Sequence, residues 1–184
     1  MATVLPGTTI EVSKVAKGIS RTMFDGIFAA GGITLSQVSV MTGLEPYLIQ
    51  NWVKRGFVSP PQKRQYSKNQ FGRIVIINML RESLQLDKIC GLLSYINGAL
   101  NDESDDLISD SELYHMYADM IAEDSISVSE QESVRRAAEK AAEGYNEPRA
   151  GARERLVKIL QVMAYAHFST MSRRAAEEML SRLD

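Results

Sequence analysis

The sequence predicts an all-α fold, because apolar residues recur every three or four positions along most of the chain. Glycine and proline residues separate these stretches into short helices, which we group into three parts. These are an N-terminal helical segment over 1–32, a compact module over 33–98 and an all-helical C-terminal domain over 99–184. With 184 residues, 45% of them hydrophobic and 24% charged, the chain can bury a core as one domain or as two small ones.

The N-terminal segment carries an apolar stripe at helical spacing between Thr8 and Ala30, and we predict one or two helices there. The stripe consists of Ile10, Val12, Val15, Ile19, Met23, Ile27 and Phe28. Its polar face has only Lys14, Lys17 and Arg21 as cations, so packing on the module is favoured over lying on a membrane. The glycines at 31–32 then provide a hinge.

The module begins with a short helix that has recognisable start and stop signals. Its buried face consists of Leu35, Val38 and Met41. Thr34 or Ser36 can cap its first turn, and Gly43 can end it because glycine accepts the left-handed conformation.

A second short helix follows at once, over residues 46–55. Glu45 is a plausible N-cap, proline occupies the first helical position, and Gly56 stops the helix. Ten residues give about 15 Å, enough for the turns that enter a DNA major groove. The buried stripe consists of Leu48, Ile49 and Trp52, and the outward face of Tyr47, Gln50, Asn51, Lys54 and Arg55.

Charge is distributed unevenly along the chain. Residues 46–81 contain seven Lys or Arg and no Asp or Glu: Lys54, Arg55, Lys63, Arg64, Lys68, Arg73 and Arg81. Residues 82–147 reverse the balance, with sixteen acids against four bases. The net charge of -2 therefore averages two unlike regions, and a polyanion responds to the local field rather than to the average. This pattern predicts a DNA-binding surface.

Several motifs in this region occur together in known proteins. Residues 43–58 read GLEPYLIQNWVKRGFV, and a proline pair at 60–61, RQYS at 64–67 and LQLDKI at 84–89 follow. The stretch resembles the winged helix-turn-helix of MerR-type transcription regulators, and more closely a bacterial family catalogued as domain of unknown function 1836. The resemblance implies a cytoplasmic transcription regulator that binds double-stranded DNA with the helix over 46–55 and dimerises through its C-terminal helices.

The resemblance and the charge pattern together assign roles to residues. Tyr47, Gln50 and Asn51 are expected to face bases, and glutamine and asparagine can each make a paired contact with adenine. Phosphate contacts are expected from Lys54, Arg55, Lys63, Arg64 and Arg73, and Tyr66 completes the predicted DNA-binding set. The wing between the two module halves is shorter than in MerR-type proteins, with Lys63 and Arg64 at its tip.

Five more helices are predicted beyond the wing. Ser67 caps the first, whose apolar residues make it mostly core, and the second ends at 97–98. The third contains the apolar residues between 113 and 121, and the fourth covers 129–143, with Ser129 and Glu132 forming a capping box. The last, over about 150–183, is apolar nearly all round between 156 and 168. We expect a second subunit to cover it in a helical bundle.

Other functions find less support in the sequence. The acidic run 101–112 resembles a calcium loop, but Asp106 stands where the turn needs glycine, so no metal is expected. His115 and His167 lie among apolar residues without a ligand or triad partner, and no phosphate-binding glycine loop or nucleophile elbow is present, so we expect neither an enzyme nor a cofactor.

Two alternatives stay open. Tyr114, Tyr117, Tyr145, Tyr165 and Phe168 could line an effector pocket, although core packing explains the same residues. The chain could also be a protein-interaction adaptor that binds a basic partner through its acidic C-terminal half. A single cysteine, Cys90, and no signal peptide or long apolar run favour a reducing cytoplasm without membrane contact.

Overall fold

The structure is a computed structural model that describes residues 3–98, 100, 106–123 and 126–183. Within that part of the chain, eight helices and four two-residue strands form the fold. In chain order they are β1 Thr3–Val4, β2 Glu11–Val12, α1 Ile19–Ile27, β3 Ile33–Thr34, α2 Leu35–Thr42, α3 Pro46–Lys54, β4 Gln65–Tyr66, α4 Lys68–Leu80, α5 Leu86–Asn97, α6 Asp110–Glu123, α7 Gln131–Ala141 and α8 Ala152–Leu180. The predicted all-α class is confirmed at this level.

The N-terminal segment differs from its prediction, because a hairpin precedes a single helix. Strands β1 and β2 pair antiparallel, with Thr3 opposite Val12. The turn between them contains Gly7 at φ 72°, a conformation that interrupts a helix. Gly18, also left-handed at φ 78°, starts α1, so only the second half of the predicted stripe is helical.

Hydrogen bonds from α4 and α6 hold the turn between β1 and β2 against the rest of the fold. The Asn78 side-chain amide donates to the carbonyls of Gly7 (3.0 Å) and Thr42 (2.9 Å). The Tyr114 hydroxyl donates to the carbonyl of Pro6 (2.9 Å). The turn therefore links the end of α2 to α4 and α6, which a sequence pattern could not show.

Helices α2 and α3 begin and end as predicted. The Thr34 hydroxyl accepts a hydrogen bond from the Gln37 backbone N–H, and the Gln37 side chain accepts from the Thr34 N–H. Gly43 follows α2 in the left-handed conformation, and Pro46 occupies the first turn of α3 after Glu45. Helix α3 ends at Lys54, one residue earlier than predicted.

Helix α4 is the central helix of the core. Ser67 caps it in a reciprocal pair with Gln70, as the sequence predicted for the serine. Residues 71–77 are buried without exception. It packs most extensively on α6, where a Cβ on Gly72 would lie 2.6 Å from Ser111 Cα. The two helices can approach this closely only because position 72 lacks a side chain.

The C-terminal helices correct one prediction and narrow another. Helix α7 starts at Gln131 with Glu130 as N-cap and no side-chain cap, so the predicted Ser129–Glu132 capping box is wrong. Helix α8 packs on α7, α5, α4 and α6 of its own chain. These helices bury the face that includes Leu156, Ile159, Leu160 and Met163, whereas Val162 and Tyr165 stay exposed.

Three further expectations concern absent features. The first five residues of the acidic run 101–112 lie outside the described residues, which begin again at Asp106. Across the described ranges, no cluster of three or more His, Cys, Asp or Glu could hold a metal ion. In the same ranges, no helix combines the length and apolar character needed to cross a bilayer.

Candidate nucleic-acid interface

The outward face of α3 is built by burying the opposite face. Ile49 and Trp52 are buried in the core, which fixes the rotation of the helix. Tyr47, at 65% exposure, and Gln50, Asn51 and Lys54 are exposed. Their spacing of three, four and seven residues places them on one side of the helix. The face presents amide, hydroxyl and ammonium groups, which can contact base edges and phosphates.

Arg55, at the end of α3, is exposed but already has partners in the fold. Its guanidinium lies over the Phe57 ring at 4.4 Å, and one of its nitrogens is 3.8 Å from an Asp87 carboxylate oxygen. Arg55 can therefore reach a phosphate only if it shares its charge with Asp87.

The hairpin loop, which we define as residues 59–66, follows α3. Gln62 and Gln65 exchange two backbone hydrogen bonds, with N···O distances of 3.1 and 2.8 Å. The two residues between them, Lys63 and Arg64, have φ angles of 47° and 64°. Such a tight turn requires left-handed backbone at both central positions and favours Asn-Gly. Here two long cationic side chains occupy the positions instead.

This turn carries backbone strain. A residue other than glycine costs about 1 kcal/mol or more in the left-handed region, because its Cβ approaches the following carbonyl. Lys63 and Arg64 are the only two non-glycine residues with positive φ in the described ranges. Sequence reasoning placed both at the tip but missed the strain, since Lys-Arg carries no turn signal of its own. Strain that persists at one exposed site points to a function for that site.

The base of the hairpin loop is fixed to its surroundings. Strand β4 pairs antiparallel with β3, with Ile33 opposite Tyr66. The Gln70 side-chain amide donates to the carbonyls of Ser59 (2.9 Å) and Pro60 (3.0 Å). The loop therefore projects its charged tip from a base that is held at both ends.

The seven cations of residues 46–81 differ in the partners that they find in the fold. Lys68 Nζ pairs with Asp25 at 2.8 Å, Arg73 with Asp110 at 3.1 Å and Arg55 with Asp87 at 3.8 Å. Arg81 donates to the Asn78 side-chain oxygen. Lys54, Lys63 and Arg64 remain, and no carboxylate of the described residues lies within 4.0 Å of them. Among the described residues, four exposed cations of the acid-free stretch thus lack a carboxylate partner: Arg81, and the three on α3 and the hairpin loop, Lys54, Lys63 and Arg64.

Two residues of the predicted DNA-binding set are buried in the fold. Arg73 is 6% exposed, and its guanidinium donates to the Phe57 carbonyl at 2.6 Å and to Asp110. Tyr66 is 2% exposed and packs in the core, where burial raises the pKa of its hydroxyl. Arg73 points inward because α4 is buried on nearly every side, and Tyr66 points inward by the alternation of β4.

His115 is buried in the helical core, and His167 is half-buried on α8. The Ser20 hydroxyl lies 2.9 Å from His115 Nδ1, and the Tyr117 hydroxyl lies 2.8 Å from His167 Nδ1. Burial lowers the pKa of each imidazole to about 4. Tyr114 and Tyr117 are also fully buried, so these two members of the aromatic cluster serve as core residues.

Comparison with known proteins gives one match. Residues 31–117 match the model of a family described as Domain of unknown function (DUF1836). This supports the resemblance to that family, and the matched region extends from the hinge glycines into α6. No curated protein and no solved structure matches the chain.

Proposed function

We propose that this chain is a DNA-binding transcription regulator that acts as a homodimer, with α3 in the major groove and the hairpin loop on the adjacent backbone. In this proposal Tyr47, Gln50 and Asn51 read bases. Lys54, Lys63 and Arg64 hold phosphates, with Arg55 as a weaker contact.

The observation that carries the proposal is the strained cationic turn at residues 63–64. A fold gains nothing in stability from two left-handed cations without partners. A phosphate backbone would gain from them, because each neutralised phosphate releases condensed counterions. Their place in the chain, directly after an exposed polar helix face, supplies the second half of a duplex contact.

A charge-removal variant tests the proposal by fluorescence anisotropy on a pool of random DNA duplexes. With three cations from each of two subunits, log affinity against log salt should have a slope of about -5. Lys63→Gln with Arg64→Gln removes four of those contacts, so the slope should fall to about -2 and affinity at low salt by tenfold or more.

The matched control changes the same charge elsewhere. Lys14 and Arg136 are exposed and belong to neither α3 nor the hairpin loop, so Lys14→Gln with Arg136→Gln should leave both slope and affinity near those of the wild type. Equal losses of affinity in the two variants would show that the effect depends only on net charge. Absence of any DNA binding by the wild type would overturn the proposal.

Base reading is tested separately with Gln50→Ala. A paired contact with one base gives about 1–3 kcal/mol of discrimination, so the variant should lose preference at one position of a selected site. Arg64→Ala should instead weaken all sequences alike. The reverse result would show that the helix and the hairpin loop have exchanged roles.

An adaptor is the second candidate, because acidic residues cluster on the C-terminal surface. Glu139, Glu143 and Glu154 surround Val157 and Arg153 in an open depression between α7 and α8. Such a surface favours a basic partner. An adaptor would bind a lysine-rich peptide and leave the duplex pool unbound, which separates the two candidates.

A further inference from the structure

The incoming half of the hairpin loop, residues 59–61, is held by a side chain rather than by its own backbone. Pro60 and Pro61 have no N–H to donate, so this segment cannot pair along β4 as an ordinary strand would. Across the described ranges, the only hydrogen bonds that residues 59–61 make are with the side chain of Gln70. The position of this half of the loop therefore depends on one side chain from α4.

The side-chain amide of Gln70 serves two structures at once. Its nitrogen lies 2.9 Å from the Ser59 carbonyl oxygen, 3.0 Å from the Ser59 hydroxyl and 3.0 Å from the Pro60 carbonyl oxygen, so its N–H groups are shared among three acceptors. Its oxygen accepts the Ser67 backbone N–H at 2.9 Å, which completes the capping box of α4. The oxygen thus stabilises the helix, and the nitrogen holds the loop.

Gln37 provides an internal comparison, because it has the same place in the capping box of α2. Its side-chain oxygen accepts the Thr34 backbone N–H at 2.8 Å, as that of Gln70 does for Ser67. Its amide nitrogen donates to no group in the described part of the chain. A capping box needs only the oxygen, and glutamate supplies it equally well. Of these two glutamines, only Gln70 uses the donor half of its side chain.

The strain at the tip of the loop also depends on this hold. Left-handed residues other than glycine persist where the surrounding structure fixes them. Strand β3 fixes the outgoing half of the loop, where Thr34 lies opposite Gln65, and Gln70 fixes the incoming half. If the incoming half is released, the backbone at Lys63 and Arg64 can relax to a commoner turn, which changes the direction of both cations.

We infer that Gln70 is the positioning residue of the hairpin loop and holds Lys63 and Arg64 in the direction that the duplex contact requires. The role of the tip rests on the proposed function, and the inference adds the group that controls the tip. A loop that is already fixed loses less conformational entropy on binding, so its phosphate contacts contribute more to affinity. Gln70 acts through the tip and not by touching DNA.

Limited digestion with trypsin tests the hold on the loop without DNA. Trypsin cuts after Lys63 and Arg64 when the chain around them opens. Gln70→Glu keeps the capping oxygen and removes the donor, so its urea midpoint should stay near that of the wild type. Cleavage at the tip should become faster by about tenfold or more, as the loss of one or two hydrogen bonds predicts.

Gln37→Glu is the matched control, because it makes the same substitution in the other capping box without losing a hydrogen bond to the loop. It should leave both the urea midpoint and the cleavage rate unchanged. Gln70→Met, with Gln37→Met as its control, repeats the comparison without added charge. Equal cleavage rates at the tip within each pair of variants would overturn the inference.

Duplex binding then tests whether the hold serves the contact. In the anisotropy assay, Gln70→Glu should change the slope of log affinity against log salt from about -5 to about -2, and Gln37→Glu should leave it near about -5. Combined with Lys63→Gln and Arg64→Gln, Gln70→Glu should cause no further loss of affinity. A further loss as large as in the wild type would show that Gln70 does not act through the tip.

Base reading separates this role from a general loss of structure. The preference that Gln50 gives for a selected duplex should persist in Gln70→Glu, because α3 is fixed by the core and not by the loop. A wild-type salt slope in Gln70→Glu would overturn the role of Gln70 and leave the proposed function intact. Absence of DNA binding by the wild type, with the trypsin result unchanged, would overturn only the proposed function.

Discussion

Helix α4 and the tip of the hairpin loop take their cations from the same acid-free stretch but use them in opposite ways. In α4, Arg73 is buried, donates to a backbone carbonyl and pairs with Asp110. At the tip, Lys63 and Arg64 are exposed, left-handed and without a carboxylate partner among the described residues. One site satisfies its charge within the fold, and the other holds its charge outward at a cost in backbone energy.

The comparison separates a structural cation from a binding cation. Asp110, which neutralises Arg73, also accepts a hydrogen bond from the Asn97 side chain at 3.0 Å. This buried network joins α4, α5 and α6 to Phe57, three residues beyond the end of α3. A run of basic residues in sequence therefore overstates the basic surface, because acids distant in sequence can neutralise part of it.

The largest expected loss of stability comes from breaking the buried ion pair between Arg73 and Asp110. Arg73→Met should lower the free energy of unfolding by about 3–5 kcal/mol, because Asp110 would stay buried without its counter-ion. Urea denaturation monitored through Trp52 measures this loss. Replacing both partners, with Arg73→Met and Asp110→Leu, should recover part of it.

Lys68→Met provides the contrast, because its partner Asp25 is exposed and solvent screens the pair. This variant should unfold close to the wild-type urea midpoint. If Arg73→Met also unfolded close to the wild-type urea midpoint, the distinction between structural and binding cations would be wrong.

The buried histidines give a smaller effect that depends on pH. Their pKa falls to about 4 in the folded chain from an ordinary 6.5, chiefly through burial, so below pH 6.5 the unfolded chain binds protons that the folded chain does not. The contribution of the neutral histidines to the free energy of unfolding is fully present above pH 6.5, and it is lost as the pH drops towards 4. Between pH 7.5 and 5.5 each histidine should lower the free energy of unfolding by an amount on the order of 1 kcal/mol.

His115→Asn isolates one of these contributions. Its urea midpoint should be less sensitive to pH over the same range than that of the wild type, whatever the absolute stability of the variant. An unchanged pH dependence would mean that His115 is protonated inside the fold, contrary to its burial beside Ser20.

The smallest stability effect has the opposite sign. Replacing the tip with the residues that its backbone prefers, Lys63→Asn with Arg64→Gly, should raise the free energy of unfolding by about 1 kcal/mol, since it relieves left-handed strain. The same change should weaken duplex binding by tenfold or more through lost phosphate contacts. Thermal unfolding and anisotropy on one preparation measure both effects.

Lys63→Gln with Arg64→Gln is the control for that pair of measurements, since it removes the charge and keeps the strain. It should lose binding without gaining stability. A tip that becomes less stable with Asn-Gly would show that the left-handed residues make contacts that offset their strain.

The sequence predicted the features that depend on neighbouring residues. Thr34, Gly43, Pro46 and Ser67 each start or end a helix as expected, because capping and positive φ are decided within a few residues. The exposed face of α3 followed from the burial of Ile49 and Trp52 at helical spacing.

The errors share a cause, which is contact between distant segments. Arg73 was assigned to the surface because its partner, Asp110, lies 37 residues away. The sequence did not show that α4, α5, α6 and α7 of the same chain cover one face of the apolar middle of α8. The N-terminal hairpin was missed because its turn is anchored on Asn78 and Tyr114.

By itself, the sequence determined that this protein is mostly helical, where its module helices begin and end, and which side of α3 remains outside, since backbone propensity and hydrophobic periodicity act locally. Tertiary structure alone decided which cations stay free, which aromatic and histidine side chains are core, and how much of α8 is left uncovered. These outcomes depend on burial and on charge partners that meet only when the chain has folded.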